Sequence, residues 1–477
     1  MEFNLRNAQL FLDDAIIEQT QRLQRVVHQP HKYHGNPVYT VGAPWEGSGI
    51  VYLGGVYIDP KDGVWKAWYV TLNPPEYPEI VFAVCMIVSD DGFTWRRPEL
   101  DVFRGHGGEW TNIVLDLGKA GRTAAPTILY EAENEPEPWT MIISLCWPAE
   151  STHYKGYFLR SADGVHWRWL RERPHGIEHG FHDRTTAMKG PDLTFPYVLI
   201  GRGKEDIARW GLDRAAHRLA VNTERAEEGE PTRVVVADVE DDPAMQVYHA
   251  YGFPYEGTYV GMFQHYIETD DPYGEMELIT SRNTVNWQRI RPRQVFLPRS
   301  LGGGSLGAFD SHITDTALSP PVRTSRTAMP TPWGGIETLW FYYWGGSAMH
   351  GNRHLTFGRA LGLAQLRADG FCSLRAERFP GRLVTKPFIW PGGRLLLNAS
   401  SLGGGGNGML RTEVLSSGLT PVPGMKWEDA DGALNDGTSM EQTWEGDGAR
   451  IERLQGEKIR LKFYVERYDL FSFRASG

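Results

Sequence analysis

Three segments of the chain repeat one pattern. Val84-Cys-Met-Ile-Val-Ser-Asp-Asp-Gly-Phe-Thr-Trp95, Gly156-Tyr-Phe-Leu-Arg-Ser-Ala-Asp-Gly-Val-His-Trp167 and Met276-Glu-Leu-Ile-Thr-Ser-Arg-Asn-Thr-Val-Asn-Trp287 each read as a strand, a polar turn and a tryptophan. Asp-Gly and Arg-Asn suit a tight hairpin turn with positive φ, and the tryptophan then caps an apolar layer. Ser161 lies 72 residues after Ser89, and Ser281 lies 120 after Ser161. The longer gap predicts one degenerate copy, and Leu219-Ala-Val-Asn-Thr-Glu-Arg225 fills it. Leu361–Phe371 forms a fifth copy, with phenylalanine in the tryptophan position. Five strand-rich units of roughly 60 to 80 residues fit a five-bladed β-propeller of four-stranded blades. A pair of β-sandwiches with unrelated hairpins is the plainer alternative.

In the first unit, Gly49–Ile58 and Val64–Val70 supply strands joined by Asp-Pro-Lys-Asp-Gly. The inner strands of the other units are expected at Ala124–Tyr130, His182–Lys189, Val247–Phe253 and Phe309–Leu318. Proline-rich loops at 73–78 and 133–138 would cross one rim. After Phe371 the texture changes to glycine-rich turns between short alternating strands, at Arg394–Asn398, Leu410–Leu415, Ile459–Val465 and Leu470–Phe473, which reads as a jelly-roll-like β-sandwich. The chain is thus expected to be all-β, with a propeller over residues 1–371, including a lead-in over 1–40, and a sandwich over 372–477. The sandwich reads as a brace, although such a module could bind sugar.

With 54 glycines, 30 prolines and 57 aromatic residues, the chain suits turns and buried layers rather than long helices or disorder. No apolar run approaches the roughly 20 residues of a membrane span, and Met1–Arg6 lacks a signal-peptide pattern, which points to an unexported, cytoplasmic protein. Net charge is −10 with no basic run, which argues against nucleic acid. Cys85, Cys146 and Cys372 lack CxxC spacing and read as buried thiols.

Leu10-Phe-Leu-Asp-Asp14, His31-Lys32 with Asn36-Pro-Val38, Ser89–Trp95 with Pro98-Glu-Leu100, Phe253-Pro-Tyr-Glu-Gly257, Asp369-Gly-Phe371 and Asp469–Arg474 resemble a group of bacterial glycosyl hydrolases related to the five-bladed propeller fructosidases and arabinosidases. The resemblance spans nearly the whole chain. It implies a propeller followed by a sandwich, acting on carbohydrate. The Trp-x-Asn-Asp-Pro motif and later Glu-Cys pair of the fructosidases are absent, so no nucleophile transfers.

Glycoside hydrolysis generally needs two carboxyl groups, one protonated to assist the leaving oxygen and one ionised. A propeller gathers inner-strand side chains at its axis, and Glu46, Asp183 and Asp310 stand at strand entrances. Asp183 and Asp310 are expected as the acid/base pair, with Glu46 assisting. Blade-to-blade hydrogen bonding is the plainer role for each. Glu256, in a turn, is a weaker acid candidate. Arg184 could clamp a substrate carboxylate or hydroxyl. Trp45, Tyr248 and Tyr251 offer faces for a sugar ring, with core packing as the alternative. His179, His182, His249, His312 and His350 lie near axial ends, where hydrogen-bonding roles are favoured over ligation of an axial metal. No cofactor is expected. Gly303-Gly-Ser-Leu-Gly307 matches the G-x-S-x-G pattern without the helix a nucleophile elbow requires, and Gly403–Gly408 reads as a hairpin connection.

The function expected is hydrolysis of a small or terminal glycoside in an axial pocket. A sugar-acid lyase or isomerase using histidine, tyrosine and a metal, and a non-catalytic carbohydrate-binding protein, are the alternatives. Carbohydrate is the expected partner, and self-association is compatible with the sequence.

Overall fold

The computed structural model describes residues 3–477 apart from 48, 73, 117–121, 124–125, 148–150, 152, 171–175, 179–180, 182–183, 203–214, 223–226, 302–307, 326–335, 348–358, 404–407, 433–435 and 446–448. Every regular element among the described residues is a β-strand or a single 3-10 turn. Blade one comprises Tyr52–Ile58, Trp65–Leu72, Phe82–Ser89 and Ile113–Asp116, paired in that order. Blade two runs from Thr127–Tyr130 through Trp139–Cys146 and Tyr154–Ser161 to Arg168–Trp169. Blade three is Thr186–Lys189, Tyr197–Arg202, Ala215–Asn222 and Thr232–Val236. Met245–Tyr255, Thr258–Ile267, Tyr273–Ser281 and Trp287–Arg289 form blade four. Blade five takes Ile313–Thr316, Thr338–Gly346 and Ala360–Arg367 from late in the chain and its outermost strands, His31–Lys32 and Tyr39–Thr40, from early in it. The ring is therefore closed by pairing the two ends of the propeller sequence.

Hydrogen bonds among the inner strands run around the axis. Tyr57 donates to the Ile128 carbonyl (2.7 Å), the Ala187 amide to Thr127 Oγ1 (3.0 Å), and Thr186 Oγ1 to the Ala250 carbonyl (2.6 Å). Tyr251 and Thr316 hydroxyls share a bond at 2.7 Å, and the Leu318 amide returns to the Leu53 carbonyl at 3.1 Å. One apolar layer fills each gap between neighbouring blades: Trp68 with Trp139, Phe158 with Leu199, Ile200 with Phe263, Met262 with Phe341, and Trp65 with Trp340. The aromatic wealth of the sequence goes largely into these layers, as in Trp65 and Trp340, whose rings stack 5.2 Å apart.

The repeated turn is a loop tied by its own side chains rather than a two-residue hairpin. The Ser89 hydroxyl accepts from the Gly92 amide (2.9 Å), Asp91 accepts from the Phe93 amide (2.7 Å), and Trp95 Nε1 donates to the Gly92 carbonyl (3.1 Å). Ser161, Asp163 and Trp167 repeat the scheme, as do Ser281, Asn283 and Trp287. Gly92 and Gly164 hold the left-handed backbone position, which Thr284 takes at φ 61° in the third copy. The copy at 219–225 supplies a strand through Asn222, and its turn lies outside the described residues.

Two further sheets share one core that includes Leu397, Leu410, Leu461, Phe463 and Phe473, forming a sandwich. The lead-in departs from expectation, since Gln9–Leu10, Ile17–Gln21 and Gln24–Val27 all pair into the sandwich sheets, and among its described strands those within 31–40 pair with a propeller strand. Ile17–Gln21 is a polar edge strand without apolar alternation, so nothing in its sequence marks its partner. Cys85, Cys146 and Cys372 are buried free thiols, and burial pushes Cys372 up to about 12.

His28, held against Ser373 Oγ at 2.8 Å where the lead-in meets the sandwich, and His265 in blade four are both lowered to about 4, chiefly by burial. Both are neutral in the folded chain, whereas the unfolded chain binds their protons below about 6.5. Their contribution is therefore complete above that value and is lost as pH falls toward 4. Acidification from pH 7 to 5 is expected to lower stability by roughly 1–2 kcal/mol per histidine. Urea unfolding at the two pH values checks this, with His28→Gln flattening the dependence; an unchanged midpoint contradicts it.

Candidate functional site

Inner-strand residues from blades three, four and five meet in a buried polar cluster. Arg184 stands two residues ahead of Thr186–Lys189, His249 lies within Met245–Tyr255, and Asp315 lies within Ile313–Thr316. Asp315 Oδ2 accepts from Arg184 Nη2 and from Trp344 Nε1 (3.1 Å), while Oδ1 lies 3.1 Å from His249 Nε2. The Arg184 guanidinium also lies over the rings of Tyr52, at 4.6 Å, and Tyr248, at 5.3 Å, and Arg202 approaches Tyr248 at 4.6 Å. A register shift between Val247 and His249 leaves Tyr248 as an extra residue in the strand. Such a bulge re-aims side chains, bringing consecutive residues Tyr248 and His249 toward the same cluster.

Burial alone would push Asp315 up, but His249 and Arg184 outweigh it and hold the carboxyl below its usual range. Burial lowers His249, leaving the imidazole neutral near pH 7. Burial also works against the Arg184 charge, and Asp315 overcomes it. Among the described residues, both ring nitrogens of His249 and Oδ1 of Asp315 are buried without a well-aligned hydrogen bond, Nε2 and Oδ1 lying 3.1 Å from each other. Such atoms are rare in folded proteins and call for an explanation.

Of the residues expected at the site, Arg184, Tyr248 and His249 meet here, while His182 and Asp183 lie outside the described residues, as do His179, His350 and 303–307. The geometry places the remaining candidates elsewhere. Glu46, fully buried, accepts from Tyr39 (2.5 Å), Tyr69, the amides of Gly42 and Ala43 (2.7 Å each) and Arg97 (2.9 Å). A carboxylate with that many donors is a structural acceptor, so the assisting role expected of it is corrected. Trp45 is consumed nearby, donating to Asn112 Oδ1 at 2.8 Å. Asp310 pairs with Lys32 on the outermost strand of blade five (2.6 Å) and accepts from Tyr343 (3.0 Å), which is the blade-bracing role and not one shared with Asp315. Glu256 holds the lead-in through the Ala8 amide (2.7 Å) and pairs with Arg323 (2.8 Å). Tyr251 is packed in the layer between blades four and five, and His312 bonds Asp271 (3.1 Å) and Ser311 (3.1 Å).

Glu46→Gln keeps the shape but puts an amide group among those donors. It is expected to cost about 1–3 kcal/mol of stability in a denaturant titration while leaving the activity of the folded fraction unchanged.

Asp315, Tyr52, Arg202 and Trp344 escaped sequence reasoning. Asp315 lies inside the strand expected at Phe309–Leu318, and its signal was an acid at a strand centre, which demands a counter-charge. Among the described residues no group of three or more His, Cys, Asp or Glu side chains is placed to hold a metal.

No family model matches the chain, and no curated protein matches it in sequence. Solved structures do match in shape. A glycoside hydrolase family 43 arabinoxylan arabinofuranohydrolase from Bacillus subtilis, in complex with cellotetraose, is 12% identical over 94% of this chain and 99% of its own, with a TM-score of 0.39. The catalytic domain of a family 62 α-L-arabinofuranosidase from Coprinopsis cinerea is 13% identical over 71% and 98%, with a TM-score of 0.43. An N-acetylgalactosamine deacetylase from F. plautii, in complex with blood group B trisaccharide, is 14% identical over 78% and 95%, with a TM-score of 0.42. These are loose superpositions at low identity, and the five-bladed propeller and its sandwich stand on the strand pairing above.

Proposed function

We propose that this protein hydrolyses the glycosidic bond of a small or terminal glycoside at the propeller axis. The observation that carries the reading is the buried Arg184–Asp315–His249 cluster, in which His249 Nε2 faces Asp315 Oδ1 at 3.1 Å and Nδ1 has no hydrogen-bond partner among the described residues, flanked by the half-buried rings of Tyr52 and Tyr248. Sugar hydroxyls both donate and accept hydrogen bonds, so they suit such atoms, and tyrosines offer apolar faces with polar edges. In this reading Asp315 stays ionised and faces the positive charge that develops on the sugar ring. The second carboxyl is assigned to Asp183, the acid that directly precedes Arg184 in the sequence. It would carry the proton to the leaving oxygen.

A second reading, sugar binding without turnover, draws on the commitment of Asp315 Oδ2 to Arg184 and Trp344. Incubating the protein with aryl glycosides of common pentoses, hexoses and uronic acids distinguishes the two. Release of the aryl group from at least one substrate supports hydrolysis. Calorimetric binding with no release from any substrate overturns it in favour of the second reading.

A further inference from the structure

One sheet of the sandwich turns a face to solvent on the side away from the propeller. The other sheet makes the junction: Arg367 of blade five bonds Asn398 Oδ1 (2.6 Å) and the Ala399 carbonyl (2.9 Å), and Ser472 bonds Asp369 (2.9 Å). The sheet across the core has the strand order Ile17–Gln21, Gly381–Thr385, Lys458–Glu466, with Met409–Ser416 also paired to Lys458–Glu466. Its inward residues, Leu383, Leu410, Leu461 and Phe463, fill the sandwich core. By the two-residue period of a strand, the alternate positions face outward.

That outer face is not a plain solvated surface. Direct cross-strand pairing aligns Arg382, Tyr464 and Arg411 in one row and Lys462 with Glu413 in the next. A groove of about 600 Å³ runs over these rows, walled by Pro421 and Trp427. Its floor is organised by Glu413, nearly buried, which accepts from Lys462 Nζ (3.1 Å) and Tyr464 OH (2.9 Å). Trp427 is 37% exposed, lies 5.6 Å from the Tyr464 ring and is flanked by Arg411. Arg382 and Lys426 also line the groove, and among the described residues neither has a carboxylate within 4.0 Å.

The geometry points to a second carbohydrate site here, one that takes an oligosaccharide bearing uronic acid residues. An exposed indole face is a platform for the C–H face of a sugar ring. Arg382, which lies 5.5 Å over the Tyr464 ring, and Lys426, neither paired with a carboxylate among the described residues, match a carboxylate on that ring and outnumber the one lining acid not held by Lys462, Glu428, in a chain whose net charge is −10. Gln19 and Gln21 on the edge strand add amide donors and acceptors for hydroxyls. The site lies beyond the sandwich core from the propeller, so its role is to hold a glycan chain independently of the axial chemistry.

The test is calorimetric titration of the full chain with tetragalacturonate and with neutral galactotetraose at low salt. Tetragalacturonate is expected to bind, and more tightly than the neutral tetramer. Trp427→Ala should weaken it about tenfold, the loss of one stacked ring, and the double variant Arg382→Gln/Lys426→Gln at least about tenfold, the loss of both cations that face the carboxylate. Raising the salt to about 0.5 M should weaken binding to the native chain as screening sets in. Axial turnover in both variants should equal that of the native chain, which separates this site from the proposed hydrolase. Absence of binding, binding unchanged in both variants, or preference for the neutral tetramer overturns the assignment.

Discussion

Asp315→Ala is expected to cost about 3–5 kcal/mol of stability, because it strands a charged guanidinium inside the propeller. Arg184 and Asp315 are both almost fully buried, and Asp315 is the only carboxylate paired with Arg184 among the described residues. Among the described residues, removing the acid leaves the cation against the ring faces of Tyr52 and Tyr248, and these cannot replace a carboxylate. The pair spans blades three and five across 131 residues of sequence, so its loss also unties the ring at the axis. Asp315→Asn, which retains the shape and a hydrogen-bond acceptor, should be less destabilising. Replacing both partners, as in Arg184→Met with Asp315→Leu, should recover much of the stability, since the penalty belongs to the uncompensated charge. Guanidinium titrations of the native chain and the three variants check this ordering. A double variant as unstable as Asp315→Ala would show that the polar contacts, rather than the charge, hold this region. Activity should be lost in all three variants regardless of stability.

Asp183→Asn is expected to lower turnover by about three orders of magnitude, the range in which a positioned acid or base contributes. The amide has the size of the carboxyl but cannot deliver a proton. Because the acid is assigned to chemistry and not to bracing, thermal stability should be little altered. A rise in KM with unchanged kcat would instead assign Asp183 to binding alone.

The architecture was legible because a local chemical pattern repeats. Ser89, Asp91 and Trp95 bond within a few residues of one another, and the same atoms recur at Ser161 and Ser281, so their spacing reports the blade period directly. Pairings between distant residues leave no such trace. Nothing near Asp310 reveals Lys32, its partner 278 residues away, and nothing near Glu46 reveals Tyr69. In the sequence both acids therefore look free for chemistry, whereas the fold supplies each with a partner. The lead-in strands escaped for the same reason: the polar run Ile17–Gln21 is a strand only because Gly381–Thr385 offers it an edge. Asp315 was hidden inside a strand correctly expected as inner, overshadowed by Asp310 with its neighbouring histidine.

The central claim of the proposed function is that sugar chemistry belongs to Asp183 and Asp315 and not to the acids bracing the blades. The most direct measurement compares turnover per folded molecule in Asp183→Asn and Asp310→Asn on one substrate. The account predicts a loss of about 10³ in the first and a change within about threefold in the second. Loss in Asp310→Asn with activity retained in Asp183→Asn would contradict it.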